Sequence, residues 1–585
     1  MMSRILAVPL ALLLPASAIW AQVAAGAAAS PSAEVDKLFQ KMDSTHSPGC
    51  ALSVVKDGAI VYERGYGMAD LDHDVPITPG TVFHVASMSK QFTAASIVML
   101  AQQGKLSLDD PVRKYIPELP DFGTPITIRQ LIHHTSGLRD QWDLLDLAGW
   151  RYSLDLITDD DVLYLVSRQK DLNFLPGSKH MYCNTGYTLL AQVVKRVSGQ
   201  SFRAFTTSQI FQPLGMKNTH FRDNHAEIVK NMAYGYERDK DTFRISITNF
   251  DTVGATSLLT TVEDLPLWDA NFYSPRVGGP AMIKQLQERG KLNDGEQLDY
   301  AFGLVIGTYR GLATVDHAGA DAGYRSDMIR FPEQHFTVAC LCNLASSNPG
   351  DLTRKVAEIY LVKEMKPVDR EQDEVKPTPA QLKSKVGTYL DRESDEVIRI
   401  SLKDGKLWAN RGTSDESYEL KAFGENHFRL TVAPVDLTFE SPAGGGPLRL
   451  AEKQGDQKPT FFTQMREFSP TAAQLGAYAG IYRSDEIDPL YELRLEGSGL
   501  VLHRLKNKPD PLHPVAQDLF VGSVGTIRFT RGAQGEVSGF LLSTGRIRNF
   551  QFRRGGSSSS RREGLWNRVF LFPSCITFAT RLPAA

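Results

Sequence analysis

The sequence predicts a large α/β domain followed by two small all-β domains. Its 585 residues are enough for roughly three domains with sizeable cores. Between residues 33 and 365, glycine turns, short strands and amphipathic helices alternate, and this region ends in a helix-like stretch over 352–365. Beyond residue 380 the pattern consists almost entirely of short strands and polar turns. The change of pattern separates an α/β region from an all-β region.

The all-β region contains an internal repeat. Two short segments return together at an offset of 93 residues, which indicates a duplication. Each copy holds many short strands in about 90 residues, and closure into a small antiparallel barrel or sandwich would remove its exposed strand edges. We therefore expect two related β-domains. The repeated segments are Gln381-Leu382 with Gly387-Thr-Tyr389, and Gln474-Leu475 with Gly480-Ile-Tyr482.

The two ends of the chain differ from both regions. Arg4 precedes an apolar run over 5–20 and then a series of small residues, which is the layout of a secretory signal peptide. The run is short for a membrane span, and an uncleaved anchor is the alternative. A Gly/Ser spacer precedes a C-terminal apolar stretch that is also too short to span a bilayer. The predicted segments are a signal peptide (1–30), the α/β domain (33–365), a linker rich in charged residues and proline (366–379), two β-domains (380–468 and 469–555) and a disordered or weakly docked tail (556–585).

Charge and cysteine content exclude several classes of function. A formal net charge of −2 provides no field that would recruit nucleic acid or an anionic membrane. Export permits disulfides, but five cysteines form an odd, sparse set without framework spacing. Cys340 and Cys342 face the same side of a predicted buried strand, where we expect two core thiols. The sequence contains no zinc-ligand pattern.

The first candidate catalytic motif is Ser87-Met-Ser-Lys90. It opens a predicted amphipathic helix that ends near Gly104, so the serine and the lysine share one face of that helix. A serine hydroxyl is a weak nucleophile that needs a neighbouring base, and the Lys90 amine could supply one. The helix N-terminus adds backbone N–H groups and a positive dipole end to stabilise an oxyanion. An N-capping serine followed by a solvated lysine is the simpler structural alternative.

Two further elements strengthen the catalytic interpretation. Tyr182 and Asn184 lie at the entrance of a strong predicted helix that ends at Gly199; the alternative is a packed tyrosine and an N-capping asparagine. The segment His317-Ala-Gly319 lies between two predicted strands, and a glycine there lets a ligand or another backbone approach closely. An ordinary β-turn is the alternative for this segment.

Taken in order, Ser-x-x-Lys at 87, Tyr-x-Asn at 182 and His-x-Gly at 317 resemble the three signature motifs of the penicillin-recognising serine hydrolases. The most similar branch comprises class C β-lactamases, D-alanyl-D-alanine carboxypeptidases, D-aminopeptidases and related carboxylesterases. The resemblance covers 33 to about 365 and implies a β-lactamase/transpeptidase-like α/β (α+β) fold, with a central antiparallel sheet flanked by helices. The appended β-domains resemble those of three-domain D-aminopeptidases, in which two small antiparallel barrels follow the catalytic domain and a loop of the last barrel helps to shape the active site.

The resemblance implies a catalytic role for three of the matched residues. Ser87 would be the nucleophile, Lys90 its proton-handling partner and Tyr182 the general base and acid. Tyrosine has an ordinary pKa near 10, so it can act as a base at neutral pH only if a cation such as Lys90 lowers that pKa. The reaction would be acyl transfer through a covalent Ser87 ester, followed by hydrolysis, with no metal or organic cofactor.

The remaining matched residues would bind the substrate. Asn184 would touch the substrate amide, and His317 would complete the hydrogen-bond network. Gly319 would permit close approach, and the backbone N–H groups of Ser87 and Ala320 would form the oxyanion hole.

One departure from the family pattern bears on the substrate. β-Lactamases of this family usually carry lysine where this chain has His317, and a mostly neutral imidazole is a poorer anchor for a carboxylate, which argues against β-lactamase activity. We expect a periplasmic or secreted serine hydrolase for a small-molecule or short-peptide substrate, with D-aminopeptidase or D-alanyl peptidase activity favoured. Compounds derived from peptidoglycan are candidate substrates. The alternatives are a short-chain carboxylesterase, a β-lactamase, which His317 disfavours, and a non-catalytic cell-wall binding protein. An α/β-hydrolase would need a Gly-x-Ser-x-Gly pentapeptide, which the sequence lacks.

Overall fold

The computed structural model describes residues 30–367, 374–412, 417–432, 435–442, 444–454 and 458–555. The predicted C-terminal tail, all but Ser30 of the predicted signal peptide, and 368–373 of the predicted linker lie outside these residues. Within the described part of the chain, no helix is both long enough and apolar enough to cross a membrane.

An antiparallel sheet forms the centre of the N-terminal domain, as the family resemblance implies. The strands of this domain are β1 (Cys50–Lys56), β2 (Ala59–Tyr66), β3 (Met68–Asp70), β4 (Val75–Pro76), β5 (Phe83–His84), β6 (His220–Phe221), β7 (Tyr236–Asp239), β8 (Thr242–Ile245), β9 (Leu258–Thr260), β10 (Val305–Tyr309), β11 (Leu312–Asp321), β12 (Tyr324–Phe331) and β13 (Phe336–Cys342). The central sheet has the order β10-β11-β12-β13-β1-β2, with each neighbouring pair antiparallel.

Helices cover both faces of this sheet. They are α1 (Pro31–Phe39), α2 (Lys90–Gln102), α3 (Ile128–Ile132), α4 (Gln141–Leu147), α5 (Asp159–Ser167), α6 (Asn184–Ser198), α7 (Phe202–Thr206), α8 (Gln212–Leu214), α9 (Leu265–Tyr273), α10 (Gly279–Leu286) and α11 (Pro349–Leu361). Strand β13 is buried along its whole length because alternate residues enter opposite cores. Leu341 packs with the larger core around α2 and α6, whereas Cys340 packs with the core under α1 and α11.

The structure changes two expectations about local elements. Helix α11 begins earlier than the expected 352–365, because Asn348 caps it through the Asp351 N–H and Pro349 occupies its first position. It also ends earlier, at Leu361. His317 and Gly319 lie inside β11 rather than in a turn, so the β-turn alternative is wrong.

The structure also corrects the expectation of two core thiols at Cys340 and Cys342. Cys342 forms a disulfide with Cys50, 292 residues away in the sequence, whereas Cys340 is a buried free thiol. Cys50 and Cys342 lie opposite each other on the antiparallel pair β1 and β13. The expectation of two core thiols came from side-chain alternation within one strand. That alternation carries no information about which strand pairs with it.

Two closed eight-stranded antiparallel barrels follow, which confirms the prediction of two small antiparallel β-domains. The first comprises α12 (Pro379–Lys383), β14 (Gly387–Leu390), β15 (Val397–Lys403), β16 (Lys406–Arg411), β17 (Tyr418–Ala422), β18 (His427–Leu430), β19 (Val435–Glu440), β20 (Arg449–Gln454) and β21 (Thr460–Gln464). The second comprises α13 (Ala472–Gly476), β22 (Gly480–Arg483), β23 (Tyr491–Glu496), β24 (Gly499–His503), β25 (Asp510–Ala516), β26 (Leu519–Gly522), β27 (Gly525–Arg531), β28 (Val537–Thr544) and β29 (Ile547–Arg554).

The sequence repeat corresponds to equivalent structural elements in the two barrels. Helices α12 and α13 each begin with a threonine capping box that uses a glutamine three residues later. The repeated tyrosines, Tyr389 and Tyr482, are fully buried. Each donates its hydroxyl hydrogen to the backbone carbonyl four residues earlier, at 2.8 Å and 2.7 Å respectively. The repeat thus preserves a cap and a buried tether at the start of each barrel.

The second barrel docks directly on the N-terminal domain. Its apolar interior joins the larger core of that domain in one continuous cluster. Arg139 and Glu486 form an ion pair at 2.6 Å across this boundary, with side chains only 1% and 3% exposed. The Tyr491 hydroxyl donates to the Leu147 carbonyl at 3.0 Å. A buried charge needs a partner of opposite sign. The barrel must therefore sit where Glu486 meets Arg139, so this ion pair fixes the position of the barrel on the N-terminal domain.

We predict that Cys50 and Cys342 are linked in the mature protein. Mass spectrometry of an unreduced digest should recover the linked peptides, and Cys50→Ala/Cys342→Ala should lower the free energy of unfolding by about 2–5 kcal/mol, as is typical for loss of a native disulfide. The matched control is Cys340→Ala, which should leave the linked peptides intact. A Cys50–Cys340 linkage in the unmodified chain would contradict the register of β1 and β13.

Candidate active site

The Ser87 segment connects strand β5 to helix α2. A 3₁₀ turn, Ala86–Ser89, precedes the α-helix, so Ser87 stands just ahead of it rather than within its first α-turn. Ala86 has a φ of +49°, an unfavourable conformation for a residue with a Cβ, and backbone strain of this kind clusters at functional sites. Ser87 is partly exposed, whereas its neighbours in this turn are buried. The backbone therefore presents the Ser87 side chain to an accessible site.

Lys90 lies beside Ser87, as the three-residue spacing predicts. Its Nζ donates to Ser87 Oγ at 3.0 Å, to Asn184 Oδ1 at 2.9 Å and to the Ala255 carbonyl at 2.7 Å. The side chain is fully buried, so the alternative of a solvated lysine is wrong. Burial lowers the pKa of Lys90 to about 7, although the carboxylates of Asp321 and Asp140 act in the opposite direction.

Tyr182 and Asn184 come together with Lys90 at the start of α6. Lys90 Nζ lies 4.9 Å from the centre of the Tyr182 ring. The Tyr182 hydroxyl is buried and meets no hydrogen-bond partner among the described residues. Burial raises the pKa of Tyr182, and the Ser87 hydroxyl and the Arg546 guanidinium partly oppose this rise. Tyr182 therefore carries its proton at neutral pH.

Asn184 links the lysine to a buried carboxylate. Its side-chain oxygen accepts from Lys90, while its Nδ2 donates to Asp140 Oδ2 at 3.0 Å and its backbone N–H donates to the same oxygen at 2.6 Å. Asp140 also caps helix α4 through the Trp142 N–H. Both polar atoms of the Asn184 side chain are thus engaged in holding Lys90 and the two helix starts together.

His317 approaches the same centre from strand β11. Its Nε2 lies 3.1 Å from the Tyr300 hydroxyl and its Nδ1 2.7 Å from the Ala318 carbonyl. Its ring lies 6.4 Å from that of Tyr182. Burial and the nearby Lys90 lower the pKa of His317 to about 4, so the imidazole is neutral under physiological conditions. The described hydrogen bonds of His317 thus go to Tyr300, which the sequence did not indicate, and to Ala318, and none goes directly to Ser87, Lys90 or Tyr182.

Gly319 brings strand β11 against the Ser87 segment. A Cβ at this position would lie 2.2 Å from the Val85 carbonyl oxygen and 3.1 Å from the Ser87 backbone nitrogen. Ala320, the next residue, is exposed at the same edge. Only a glycine allows the strand to pass so close, which places the segment carrying the Ala320 N–H beside that carrying the Ser87 N–H.

Several residues of the site were not predicted. The structure adds Asp140 and Ala255 around Lys90, and it adds His134, whose ring lies 4.2 Å from the Tyr182 ring. Arg546 comes from the second barrel, and its guanidinium carbon lies 5.0 Å from the Tyr182 ring. Asp140 carried a detectable local signal, since it precedes an amphipathic stretch as an N-cap would. Arg546 had no local signal, because only the docking of the barrel brings it here.

A partly exposed serine in contact with a buried lysine amine, on this α+β fold, defines a serine hydrolase. A family model described as Beta-lactamase matches residues 35–362. The chain belongs to the β-lactamase family, and it is an enzyme of the serine hydrolase type.

Individual relatives cover most of the chain. It is 31% identical over 428 residues to penicillin-binding protein 4* of Bacillus subtilis, covering 69% of this chain and 92% of that protein. It is 26% identical over 528 residues to the D-aminopeptidase of Brucella anthropi, covering 87% of this chain and 95% of that protein. The octameric penicillin-binding protein homologue from Pyrococcus abyssi has a similar fold, with a TM-score of 0.52 and 23% identity, covering 74% of this chain and all of that one.

We predict that Gly319→Ala lowers kcat/KM about 100-fold or more while the protein stays folded. The added methyl group must displace the Val85 carbonyl and with it the Ser87 segment, and a displacement of about 1 Å at a reacting group costs rates of this order. Steady-state kinetics and thermal unfolding measure the two effects separately. Gly307→Ala on β10 is the matched control, because a Cβ there meets only the Thr314 hydroxyl, at 3.3 Å. Equal losses for both variants would remove the special role of Gly319.

Proposed function

We propose that this enzyme hydrolyses amide bonds of small D-amino-acid amides or short peptides through an acyl-enzyme on Ser87. The observation that carries the proposal is the 3.0 Å contact between Ser87 Oγ and the buried Lys90 amine, because it supplies a nucleophile with an adjacent base. The substrate class is supported by the D-aminopeptidase of Brucella anthropi, whose similarity extends over 87% of this chain. The similarity therefore extends beyond the N-terminal domain into the barrels.

The acylation step starts with a proton transfer from Ser87. Lys90, with its pKa near 7, is available in part as a neutral amine, whereas burial raises the pKa of Tyr182 and keeps that residue protonated. We therefore propose that Lys90 accepts the Ser87 proton, whereas the family resemblance implied Tyr182 as the base. In the neutral form of Lys90, two N–H groups donate to Asn184 and Ala255, and the nitrogen lone pair accepts from the Ser87 hydroxyl. The Ser87 oxygen forms a bond to the substrate carbonyl carbon as its proton moves to Lys90 Nζ and the carbonyl π electrons move to the oxygen.

The collapse of the resulting intermediate needs a proton on the leaving nitrogen. Tyr182 supplies it from its hydroxyl as the C–N bond breaks, and Lys90 returns the Ser87 proton to Tyr182. The backbone N–H groups of Ser87 and Ala320 stabilise the oxyanion. Water then attacks the Ser87 ester by the same proton route in reverse, which releases the acid and restores the free serine. No metal or organic cofactor enters these steps.

Two observations support further parts of the proposal. The neutral His317 is a poor carboxylate anchor at the position where β-lactamases of the family usually carry lysine, which favours peptide or amide hydrolysis over β-lactam hydrolysis. The Cys50–Cys342 disulfide supports export to the periplasm or the medium, because such bonds persist in oxidising compartments. We include a short peptide derived from peptidoglycan among the candidate substrates.

We predict that a fluorophosphonate probe labels the unmodified enzyme and fails to label Ser87→Ala. In the same preparation, D-alanine p-nitroanilide should be cleaved faster than its L-enantiomer, p-nitrophenyl butyrate or nitrocefin. Ser107→Ala is the matched control, since this serine is exposed on the same domain and should leave labelling and turnover unchanged.

The outcomes of this experiment separate the candidate functions. Labelling with rapid ester turnover and no cleavage of the D-amide would replace the peptidase proposal by a carboxylesterase. Absence of labelling in the unmodified enzyme would favour a non-catalytic binding protein.

We predict that kcat/KM rises with pH up to about pH 7 and then levels off. Below its pKa, the neutral fraction of Lys90 grows about tenfold per pH unit. His317, with a pKa of about 4, does not titrate in this range, whereas burial raises the pKa of Asp143 to about 6. A pH profile of Asp143→Asn therefore serves as the control and should keep its inflection near 7. A fall of kcat/KM between pH 6 and pH 8 would show that Lys90 must be charged.

A further inference from the structure

The turn between β28 and β29 of the second barrel is anchored to the N-terminal domain. The Arg546 N–H donates to Asp143 Oδ2 at 2.6 Å, and the Arg546 carbonyl accepts from Asn173 Nδ2 at 2.8 Å. The Arg548 N–H donates to the oxygen of the same Asn173 side chain, also at 2.8 Å. Gly545 packs directly against the Asp143 carboxylate. The backbone on both sides of the Arg546 side chain is therefore held before any substrate arrives.

The Arg546 side chain extends from this turn to the edge of the active site. Its guanidinium lies over the Tyr182 ring, 5.0 Å from the ring centre. Its Nη1 lies 3.5 Å from Asp140 Oδ2, and the side chain keeps 42% of its surface exposed. Among the described residues, no hydrogen bond uses the guanidinium N–H groups of Arg546. A guanidinium has five donors in a planar fork, so one edge can face Asp140 while another remains open.

Of the described cationic side chains that contact the Tyr182 ring, Arg546 is the accessible one. His317 is neutral, and burial also lowers the pKa of His134 well below its usual value. Lys90 is fully buried, and its Nζ is engaged by three acceptors. Asp140 lies behind Arg546, with a side chain only 1% exposed. Arg546 therefore places a partly exposed guanidinium beside Tyr182, whose ring also contacts Lys90.

We propose that Arg546 binds a carboxylate of the substrate, so that the enzyme selects anionic substrates over neutral ones of the same shape. This inference rests on the proposed function, because it takes Ser87 as the site of attack. An arginine pairs with a carboxylate through two parallel hydrogen bonds, and its charge is independent of pH in the working range.

The carboxylate could belong to either side of the scissile bond, and two substrate pairs distinguish the sources. For the leaving side, acetyl-D-alanyl-D-alanine is compared with its C-terminal amide. For the acyl side, the p-nitrophenyl monoester of glutaric acid is compared with p-nitrophenyl butyrate. The measured quantity is the ratio of kcat/KM for the anionic substrate to that for the neutral one. We expect the ratio to exceed one in at least one pair.

Variants of Arg546 assign this preference to its guanidinium. Arg546→Gln should lower the ratio by about 10- to 100-fold, the usual effect of losing a hydrogen bond to a charged group. The change should come chiefly from a higher KM for the anionic substrate. Arg546→Lys, which keeps the charge without the planar fork, should recover part of the ratio. The matched control is Arg553→Gln, which removes one positive charge from strand β29 of the same barrel, at an exposed position paired with Asp485, and should leave the ratio unchanged.

The inference is overturned if Arg546→Gln leaves the kcat/KM ratio unchanged in both substrate pairs. This includes the case in which kcat/KM falls equally for the anionic and the neutral substrate. An equal loss would mean that Arg546 acts through Tyr182 or through docking of the barrel. Fluorophosphonate labelling of Ser87 is measured on every variant. Failure of the proposed function therefore appears as absent labelling, whereas failure of the carboxylate site appears as an unchanged ratio on a labelled enzyme.

Discussion

The buried amine of Lys90 is the interaction on which the rest of the site depends. Its three acceptors come from three separate parts of the chain: Ser87 in the turn before α2, Asn184 at the start of α6 and Ala255 in the segment before β9. A buried polar group that loses a partner costs free energy, so the amine is stable only where all three segments meet. The packing that brings these three segments together therefore also positions the Lys90 amine beside Ser87. The same burial that lowers the pKa of Lys90 to about 7 makes the amine usable as a base.

Two adjacent residues connect this centre to the second barrel. Arg139 reaches outward to Glu486 at 2.6 Å, whereas Asp140 reaches inward to Asn184 and lies 3.5 Å from Arg546. Of these two consecutive residues, Arg139 forms the ion pair that fixes the barrel, and Asp140 supplies the carboxylate that orients Asn184 in the site. A barrel attached in this way can deliver a side chain to Tyr182 with fixed geometry. The first barrel has the same repeat but sends no described residue to the Ser87 centre.

The sequence predicted the parts of the fold that depend on local patterns. The three-residue spacing placed Lys90 on Ser87, the 93-residue repeat predicted two related barrels, and the motifs at Tyr182 and His317 converge as the resemblance implied. What it did not provide depends on pairing between distant segments. The bond between Cys50 and Cys342 follows from the register of β1 with β13, and Arg546 follows from docking of a whole domain. Single-strand alternation and short motifs contain neither kind of information.

The Ser87 turn is positioned mainly by backbone. On one side Gly319 passes the Val85 carbonyl, and on the other a Cβ at Gly303 would lie 2.6 Å from the Gln91 nitrogen. Ala86 between them holds a positive φ, which is stable only where the surroundings leave no alternative. Because these contacts involve main-chain atoms and glycines, other side chains around the site can change without moving Ser87. His317 on β11 and Arg546 of the second barrel are side chains of this kind, and the substrate selection proposed for Arg546 requires no movement of Ser87.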